Sequence, residues 1–163
     1  MIANLILEGL ALCLVLTVMC IVGIKDGAAG MAFFYVKEVQ DKAIAQGLTT
    51  AEKIKRSAKI FKISGILIYV AVLMVSVYAV NGARGFLDAF LQMLVIFAVL
   101  GLYDRLFVDI FWVGHTKAWI IPGTEEFMPY IPFKIHVKKW IAMLVVYPVG
   151  SAIIALIMSF VLK

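Results

Sequence analysis

Four long apolar stretches constrain the fold of this chain more than any other feature. They cover residues 2–24, 63–80, 86–113 and 140–162, and each has at least 18 residues. That length is enough for an α-helix to cross the hydrocarbon core of a bilayer. Because backbone groups inside the core must bond within their own segment, each stretch predicts a membrane-spanning helix. We therefore predict an all-α integral membrane protein, a four-helix bundle that forms one domain over residues 1–163.

Composition agrees with this prediction. The chain is 64% hydrophobic and 15% charged, whereas a soluble domain is about half apolar and about a quarter charged. The excess apolar surface is expected to face membrane lipid, which is the first predicted partner. The net charge of +5 does not predict nucleic-acid binding, because the basic residues cluster in two connections. The first stretch has no basic region before it and is too long for a signal peptide, so we expect a retained helix.

The basic residues also predict an orientation. Eight of the fifteen lie between residues 25 and 62: Lys25, Lys37, Lys42, Lys53, Lys55, Arg56, Lys59 and Lys62. Five belong to the third connection when a residue from its membrane flank is included: Arg105, Lys117, Lys134, Lys138 and Lys139. The second connection has only Arg84, and the C-terminus only Lys163. The positive-inside rule then predicts a cell (inner) membrane protein with both termini outside and both long connections cytoplasmic.

The first connection has the pattern of a helical hairpin. Residues 31–46 have helical character, and Gly47 is typical of the position that ends a helix. Thr49 is expected to cap the next helix in a capping box with Glu52, three residues later. That second arm should run directly into the second span.

The third connection is unusually apolar for a loop. Pro122, Pro129 and Pro132 exclude one continuous helix, yet aromatic residues such as Trp119 and Tyr130 recur between them. Such a segment should not be exposed to water. We expect it to lie in the interface, to re-enter the bundle, or to pack on the hairpin.

A turn divides this connection. Residues 122–123 predict the turn, and a short helix follows with Thr124 as its N-cap. Glu125 and Glu126 would then stand in the first helical turn, where negative charge is favourable.

The third span carries the first candidate site. Arg105 and Asp109 are four residues apart and are expected to pair along the helix. Asp104 and His115 are eleven residues apart and would share nearly one face of an α-helix. Ionisable groups at membrane depth favour a functional role. The alternative is a structural salt bridge whose side chains reach the interface.

A second polar cluster is expected at the opposite membrane edge. Glu8 would lie near Arg84 and Asp88, and a Glu8–Arg84 ion pair would offset the cost of burying the acid. We interpret this cluster as structural.

Two spans carry small residues at helical spacing. Such stripes allow close helix approach, and they predict a homo-oligomer formed through spans one and four. The stripes are Gly9, Cys13 and Thr17, and Ser151, Ala155 and Ser159.

No cofactor or metal site is predicted. Cys13 and Cys20 are seven residues apart, about 10 Å along a helix, which is too far for a disulfide. His115, His136 and the paired glutamates form no compact metal motif, so metal ligands are predicted to be none. Motifs for dinucleotides, phosphate loops and nucleophilic serine are missing as well, which leaves the cofactor unknown.

Three functions stay open. The first is a non-catalytic protein that binds an amphiphilic ligand or partner helices in a cytoplasmic-side pocket. In this hypothesis Asp104 faces the ligand, and Trp119 and Tyr130 cover it. The full set of candidate ligand-binding residues is Asp104, Arg105, Asp109, His115, Trp119, Glu125 and Tyr130.

The second is a lipid-modifying membrane enzyme, methyltransferase-like or a hydrolase. Asp104 or Asp109 would act as the base and His115 as acid or base, because histidine titrates near neutral pH. The third is an oligomeric transporter or channel subunit, whose pathway would need several copies of the chain.

Residues 103–140 resemble a group of small, largely uncharacterised bacterial multi-pass membrane proteins. The resemblance rests on Asp104, Leu106, Asp109 and the turn at residues 122–125, followed by aromatic and basic residues before the last span. It implies a multi-pass membrane protein and no particular activity. Glu125 and the glutamate after it are also similar to paired glutamates in small membrane methyltransferases acting on phospholipids or prenylated cysteine. The Arg-His-Pro motif and the methyl-donor glycine motif of those enzymes do not occur in this sequence.

Overall fold

The computed structural model describes residues 1–162, and Lys163 lies outside them. Four helices are long and apolar enough to cross a membrane: α1 (Ile2–Ile24), α3 (Ala51–Val80), α4 (Phe86–Val113) and α5 (Phe133–Val161). The short helix α2 is Lys37–Ala45, and 3₁₀ helices occupy Ala28–Phe34, Lys117–Trp119 and Glu125–Phe127. Residues 1–162 contain no β-strand. The predicted all-α four-helix membrane bundle is confirmed, and the chain is a small multi-pass membrane protein.

The bundle has two different ends. The loop end carries the long connections 25–50 and 114–132, and the turn end carries the short connection 81–85 together with Met1 and Leu162. Because the four long helices are joined in sequence, the chain crosses from the turn end to the loop end in α1 and α4 and returns in α3 and α5.

Helix α4 forms the centre of the bundle. It packs extensively on α1 and on α5, whereas α3 contacts α1 and the 3₁₀ helix Ala28–Phe34. The α1–α4 contact depends on a glycine: a Cβ at Gly9 would stand 2.6 Å from Cβ of Val99. No real Cβ pair approaches so closely, so the small residue sets the distance between the two helices.

The α1 stripe faces α4 within the same chain, and two of the three residues of the α5 stripe are buried. In α1, Cys13 Sγ lies 3.9 Å from the carbonyl oxygen of Val99, and Thr17 Oγ1 lies 2.7 Å from the Tyr103 hydroxyl. In α5, Ser151 is fully buried. The predicted homo-oligomer stays a prediction, and its interface would have to lie elsewhere on the surface.

Helix α5 has the largest lipid-facing surface. Only 11% of its most apolar 18-residue stretch is buried, compared with 33% of the corresponding stretches of α1 and α4. It starts directly after Pro132 and continues through Pro148 to Val161. The fourth helix was expected over residues 140–162. It begins earlier because a polar first part, with Lys134 among its residues, extends the helix beyond the apolar stretch.

The first connection is a hairpin, as predicted, with one local difference. Gly47 ends α2 in the left-handed region at φ +73°, with Leu48 N–H donating to the Ala43 carbonyl at 3.0 Å. The cap of α3 is Thr50, whose side chain accepts from the Lys53 backbone N–H. The prediction of Thr49 as the cap is therefore wrong by one residue.

Helix α3 is longer than the apolar stretch that predicted it. It starts at Ala51 rather than at residue 63, because the second arm of the hairpin and the second span are one helix, as expected. The charged first part of this helix leaves the apolar stretch, so hydropathy alone could not mark its start.

The third connection packs on the hairpin, which was one of three expected outcomes. We call the combined unit, residues 25–50 with residues 114–132, the cap. The Tyr35 hydroxyl donates to the Trp119 carbonyl at 2.7 Å, and the rings of Tyr35 and Tyr130 lie 4.7 Å apart. At the cap surface, Lys42 pairs with Glu126. The apolar residues of the third connection are thus explained by burial in this cap.

Candidate functional site

All four long helices line a cavity of about 340 Å³ toward the loop end. Leu16 of α1, Tyr69 of α3, Leu100 of α4 and Tyr147 of α5 contribute apolar or aromatic walls, and Phe34 of the cap adds another. The volume falls within the range of roughly 300–1,000 Å³ found for small-molecule sites. Helix α5 packs mainly on α4, whereas α3 packs mainly on α1 and the cap. Helices α3 and α5 therefore form the two opposite sides of the cavity.

Four ionisable side chains line the same cavity and bond to one another. Arg105 donates through Nη1 to Asp109 Oδ2 at 2.5 Å and through Nη2 to Asp104 Oδ2. Lys139 of α5 donates to Asp109 Oδ1 at 2.7 Å. We call Asp104, Arg105, Asp109 and Lys139 the ion network. It balances two negative charges with two positive ones, and it joins α4 to α5.

Burial increases toward the centre of the ion network. The exposed fraction of the side chain is 5% for Asp109, 13% for Arg105, 19% for Asp104 and 23% for Lys139. Lys139 Nζ also lies 5.8 Å from the centre of the Phe34 ring, within cation–π distance. Asp109 is therefore the least accessible member and the one held by two cations.

A π-helical segment sets the position of these side chains. The last part of α4, Tyr103–Val113, bonds from residue i to i+5, so its turns are wider than α-helical turns. Asp104 and Asp109 are five residues apart and both reach Arg105. The predicted Arg105–Asp109 pair is confirmed, and the pairing of Arg105 with Asp104 was not predicted.

His115 does not join the ion network. It lines a second, more open cavity of about 520 Å³ with His136, and the two cavities share none of their described lining residues. Its Nδ1 lies 2.7 Å from the Ile110 carbonyl oxygen. The prediction that Asp104 and His115 share a face is wrong, because eleven residues of a partly π-helical segment do not follow the 100° rotation of an α-helix.

Trp119 and Tyr130 belong to the core of the cap and do not line the cavity. Both are fully buried, and the Trp119 ring stands edge-on to Trp112 at 5.4 Å. The Tyr130 hydroxyl lies 2.7 Å from Thr124 Oγ1. Burial raises the pKa of the neighbouring Tyr35 hydroxyl well above its usual range, so this hydroxyl stays neutral. The expectation that Trp119 and Tyr130 cover the ligand is therefore wrong.

Glu125 lies on the outer surface of the cap, away from the cavity. Hydrogen bonds from the backbone amides of Glu125 and Gly123 lower the pKa of its carboxyl group, and Lys42 adds to this effect. The side chain is charged at neutral pH and stabilised locally. Thr124 precedes this short helix, as predicted, but its hydroxyl donates to the Ile121 carbonyl at 2.8 Å instead of capping it.

Sequence reasoning missed Lys139 as a site residue. It was noted only as one of two basic residues before the fourth span, because one amino-acid sequence does not show which helix packs against Asp109. The available signal was an acid at membrane depth, which requires a nearby cation, and a lysine at the end of an adjacent apolar stretch.

At the turn end, the acid of α1 has a different partner from the one predicted. Asn81 Nδ2 lies 3.0 and 2.9 Å from the two carboxylate oxygens of Glu8. The guanidinium of Arg84 instead donates to the Ala83 carbonyl. The expected Glu8–Arg84 ion pair is wrong, and the turn satisfies Glu8 with a neutral amide.

No protein-family model, curated protein or solved structure matches this chain. The resemblance of residues 103–140 to small bacterial multi-pass membrane proteins stays a prediction. Within residues 1–162, no group of three or more His, Cys, Asp or Glu side chains is arranged to hold a metal ion.

Proposed function

We propose that this protein binds a membrane amphiphile in the cavity between α3 and α5. The observation that carries the proposal is the position of the ion network at one end of an otherwise apolar cavity. An amphiphile has the same division, with a polar head and an apolar tail. Four bonded ionisable groups are costly to bury, and ionisable groups at membrane depth usually serve a function.

The direction of the cavity supports this proposal. Its charged members Asp109 and Lys139 lie toward the loop end, with Val113 and Phe34 beside them, while Leu16, Leu100 and Tyr147 lie deeper in the bundle. From Lys139 to Tyr147 the cavity follows α5 for about 12 Å, at 1.5 Å per residue. A lipid of the leaflet at the loop end would place its head at the ion network and its chains toward the bilayer centre.

We further propose that this leaflet is the cytoplasmic leaflet of the cell membrane. The two long connections with most of the basic residues are both at the loop end. Lys37→Cys tests this orientation, because Lys37 is exposed on α2 while both native cysteines are buried. A membrane-impermeant maleimide should label this variant only after the cells are opened. Labelling of intact cells would contradict the orientation.

The experiment for ligand binding is native mass spectrometry of protein released from its membrane in mild detergent. Wild type should retain a lipid or another amphiphile of discrete mass. Asp104→Asn should lose it, because Asp104 is the more accessible acid of the ion network. Asp26→Asn is the matched control, since this aspartate is 89% exposed and does not line the cavity.

A second variant separates ligand loss from misfolding. Ala142→Phe keeps all four charges and fills the cavity from α5, so it should also lose the amphiphile while retaining wild-type helicity. Retention of the same molecule by both Asp104→Asn and Ala142→Phe would overturn the proposal. A wild-type protein without any bound amphiphile would overturn it as well.

The geometry favours binding over catalysis. The enzyme hypothesis paired an aspartate with His115, yet His115 lines the other cavity. Both oxygens of Asp109 already accept hydrogen bonds from cations, so this carboxylate is engaged within the ion network. The oligomeric transporter or channel stays a prediction that no specific contact favours.

A further inference from the structure

We infer that the cavity selects a zwitterionic headgroup with a primary ammonium group beside a phosphate, as in an aminophospholipid. This inference rests on the proposed function and names the class of amphiphile. It follows from three properties of the ion network: its net charge, the atoms that it leaves without a partner, and the rings around it.

The net charge of the ion network is zero, because Asp104 and Asp109 balance Arg105 and Lys139. A headgroup with a net charge would add an unbalanced charge to a poorly hydrated cavity, where such a charge is costly. A zwitterion adds equal and opposite charges. It can therefore bind without upsetting the existing balance.

The unused atoms of the ion network form one acceptor and several donors. Asp104 Oδ2 is bonded to Arg105, whereas Asp104 Oδ1 accepts from none of the described residues. Arg105 Nε is buried without a partner in the described part of the chain. Lys139 uses one of its three N–H donors on Asp109. Asp109 has no free oxygen, so it anchors the network and leaves recognition to its neighbours.

These atoms match the two halves of the headgroup. A ligand ammonium can donate to Asp104 Oδ1, and a phosphate oxygen can accept from the N–H donors of Lys139 that Asp109 leaves free. Arg105 Nε is covered by its protein neighbours, so it takes no part in recognition of the headgroup. The network thus provides a negative and a positive contact point within one cavity.

The same atoms discriminate against a quaternary ammonium. A trimethylated nitrogen has no N–H to donate, and Asp104 Oδ1 would be desolvated without a hydrogen bond. Quaternary groups bind best over free aromatic faces. Beside the network, Lys139 Nζ already lies 5.8 Å from the centre of the Phe34 ring, so a cation occupies one face of this ring.

The test is a competition among lipids with identical acyl chains. Purified full-length protein is offered an equimolar mixture of phosphatidylethanolamine, phosphatidylcholine and phosphatidylglycerol in detergent, and bound species are counted by native mass spectrometry. We expect phosphatidylethanolamine to exceed each of the others by about tenfold or more, because each alternative loses a charge-assisted hydrogen bond. In Asp104→Asn total lipid binding should fall, and the residual bound species should show a ratio of phosphatidylethanolamine to phosphatidylcholine of about one.

Lysine variants test the phosphate contact. Lys139→Met should reduce the binding of all three lipids, since all carry the phosphate. Lys138→Met is the matched control, because Lys138 is exposed on the same helix and does not line the cavity. Equal loss in both variants would overturn the role of Lys139.

Other outcomes distinguish this inference from the proposed function. Equal binding of the three lipids, with Asp104→Asn and Ala142→Phe still reducing it, would overturn the headgroup class and leave amphiphile binding standing. Preference for phosphatidylglycerol would overturn the charge-balance argument. Displacement of bound lipid by free O-phosphoethanolamine at equal concentration would assign the site to a soluble zwitterion and overturn the lipid. Binding of no lipid at all would overturn both proposals.

Discussion

Replacing Asp109 with asparagine should destabilise the bundle more than any other single change in the ion network. The Asp109 side chain is 5% exposed and bonds to Arg105 at 2.5 Å and to Lys139 at 2.7 Å. Asparagine keeps the size but removes the charge, so two buried or half-buried cations lose their shared partner. Breaking a buried ion pair from one side costs about 3–5 kcal/mol. We expect a loss of that size in the free energy of unfolding.

The contact with Lys139 contributes to this loss by joining two helices. Arg105 lies on α4 with Asp109, but Lys139 comes from α5, which has little other burial. A hydrogen bond to a charged group contributes about 1.5–3 kcal/mol. Lys139→Met in the Asp109→Asn background should therefore recover part of the loss. It removes the cation whose carboxylate partner is lost, whereas Arg105 still pairs with Asp104.

The assay is unfolding in mixed micelles with an increasing fraction of sodium dodecyl sulfate, followed by far-ultraviolet circular dichroism. Asp26→Asn serves as the control, since its pairing with Lys25 at 3.8 Å is exposed and should contribute less than about 1 kcal/mol. A change below about 1 kcal/mol in Asp109→Asn would refute the reasoning. It would mean that water or lipid headgroups satisfy both cations, and that the ion network does not hold α5 on α4.

Two further predictions concern packing and pH. Gly9→Ala should destabilise the same unfolding transition by about 1–3 kcal/mol, because its Cβ would meet Val99, whereas Gly150→Ala, with no atom within 4 Å of its Cβ, should be neutral or slightly stabilising. Equal effects of the two alanines would contradict the proposed α1–α4 contact. Burial raises the pKa of the Tyr35 hydroxyl, so above about pH 10 the unfolded chain releases a proton that the folded chain retains. Stability of wild type should hold below that pH and fall above it, and Tyr35→Phe should show a smaller fall when unfolding is measured across this pH range.

Features that depend on one segment could be predicted from the sequence. Apolar length gave the four spanning helices, because a bilayer imposes its thickness on each segment separately. The stop at Gly47 and the Arg105–Asp109 pair follow from local helix geometry. The apolar third connection predicted burial, although three partners were possible and only the structure identifies the hairpin.

Features that depend on contacts between two segments, or on a change of helix type, could not be predicted from the sequence. Lys139 became a partner of Asp109 only through the packing of α5 on α4. Asn81 replaced Arg84 beside Glu8 because the turn presents its amide to α1. The position of His115 changed because the end of α4 is π-helical, and no residue pattern signals that change of period.

The cap has a consequence for how the chain is assembled. The Tyr35–Trp119 and Lys42–Glu126 contacts both join residues separated by 84 positions. A ribosome that adds about 5–20 residues per second needs about 4–17 seconds to cover that distance. During this interval the aromatic face of the hairpin has been synthesised, but the third connection that will cover it has not. The membrane surface favours aromatic side chains, so this face can lie there in the meantime. The cap is therefore completed late, only after α4 has entered the bilayer and the segment that follows it has emerged.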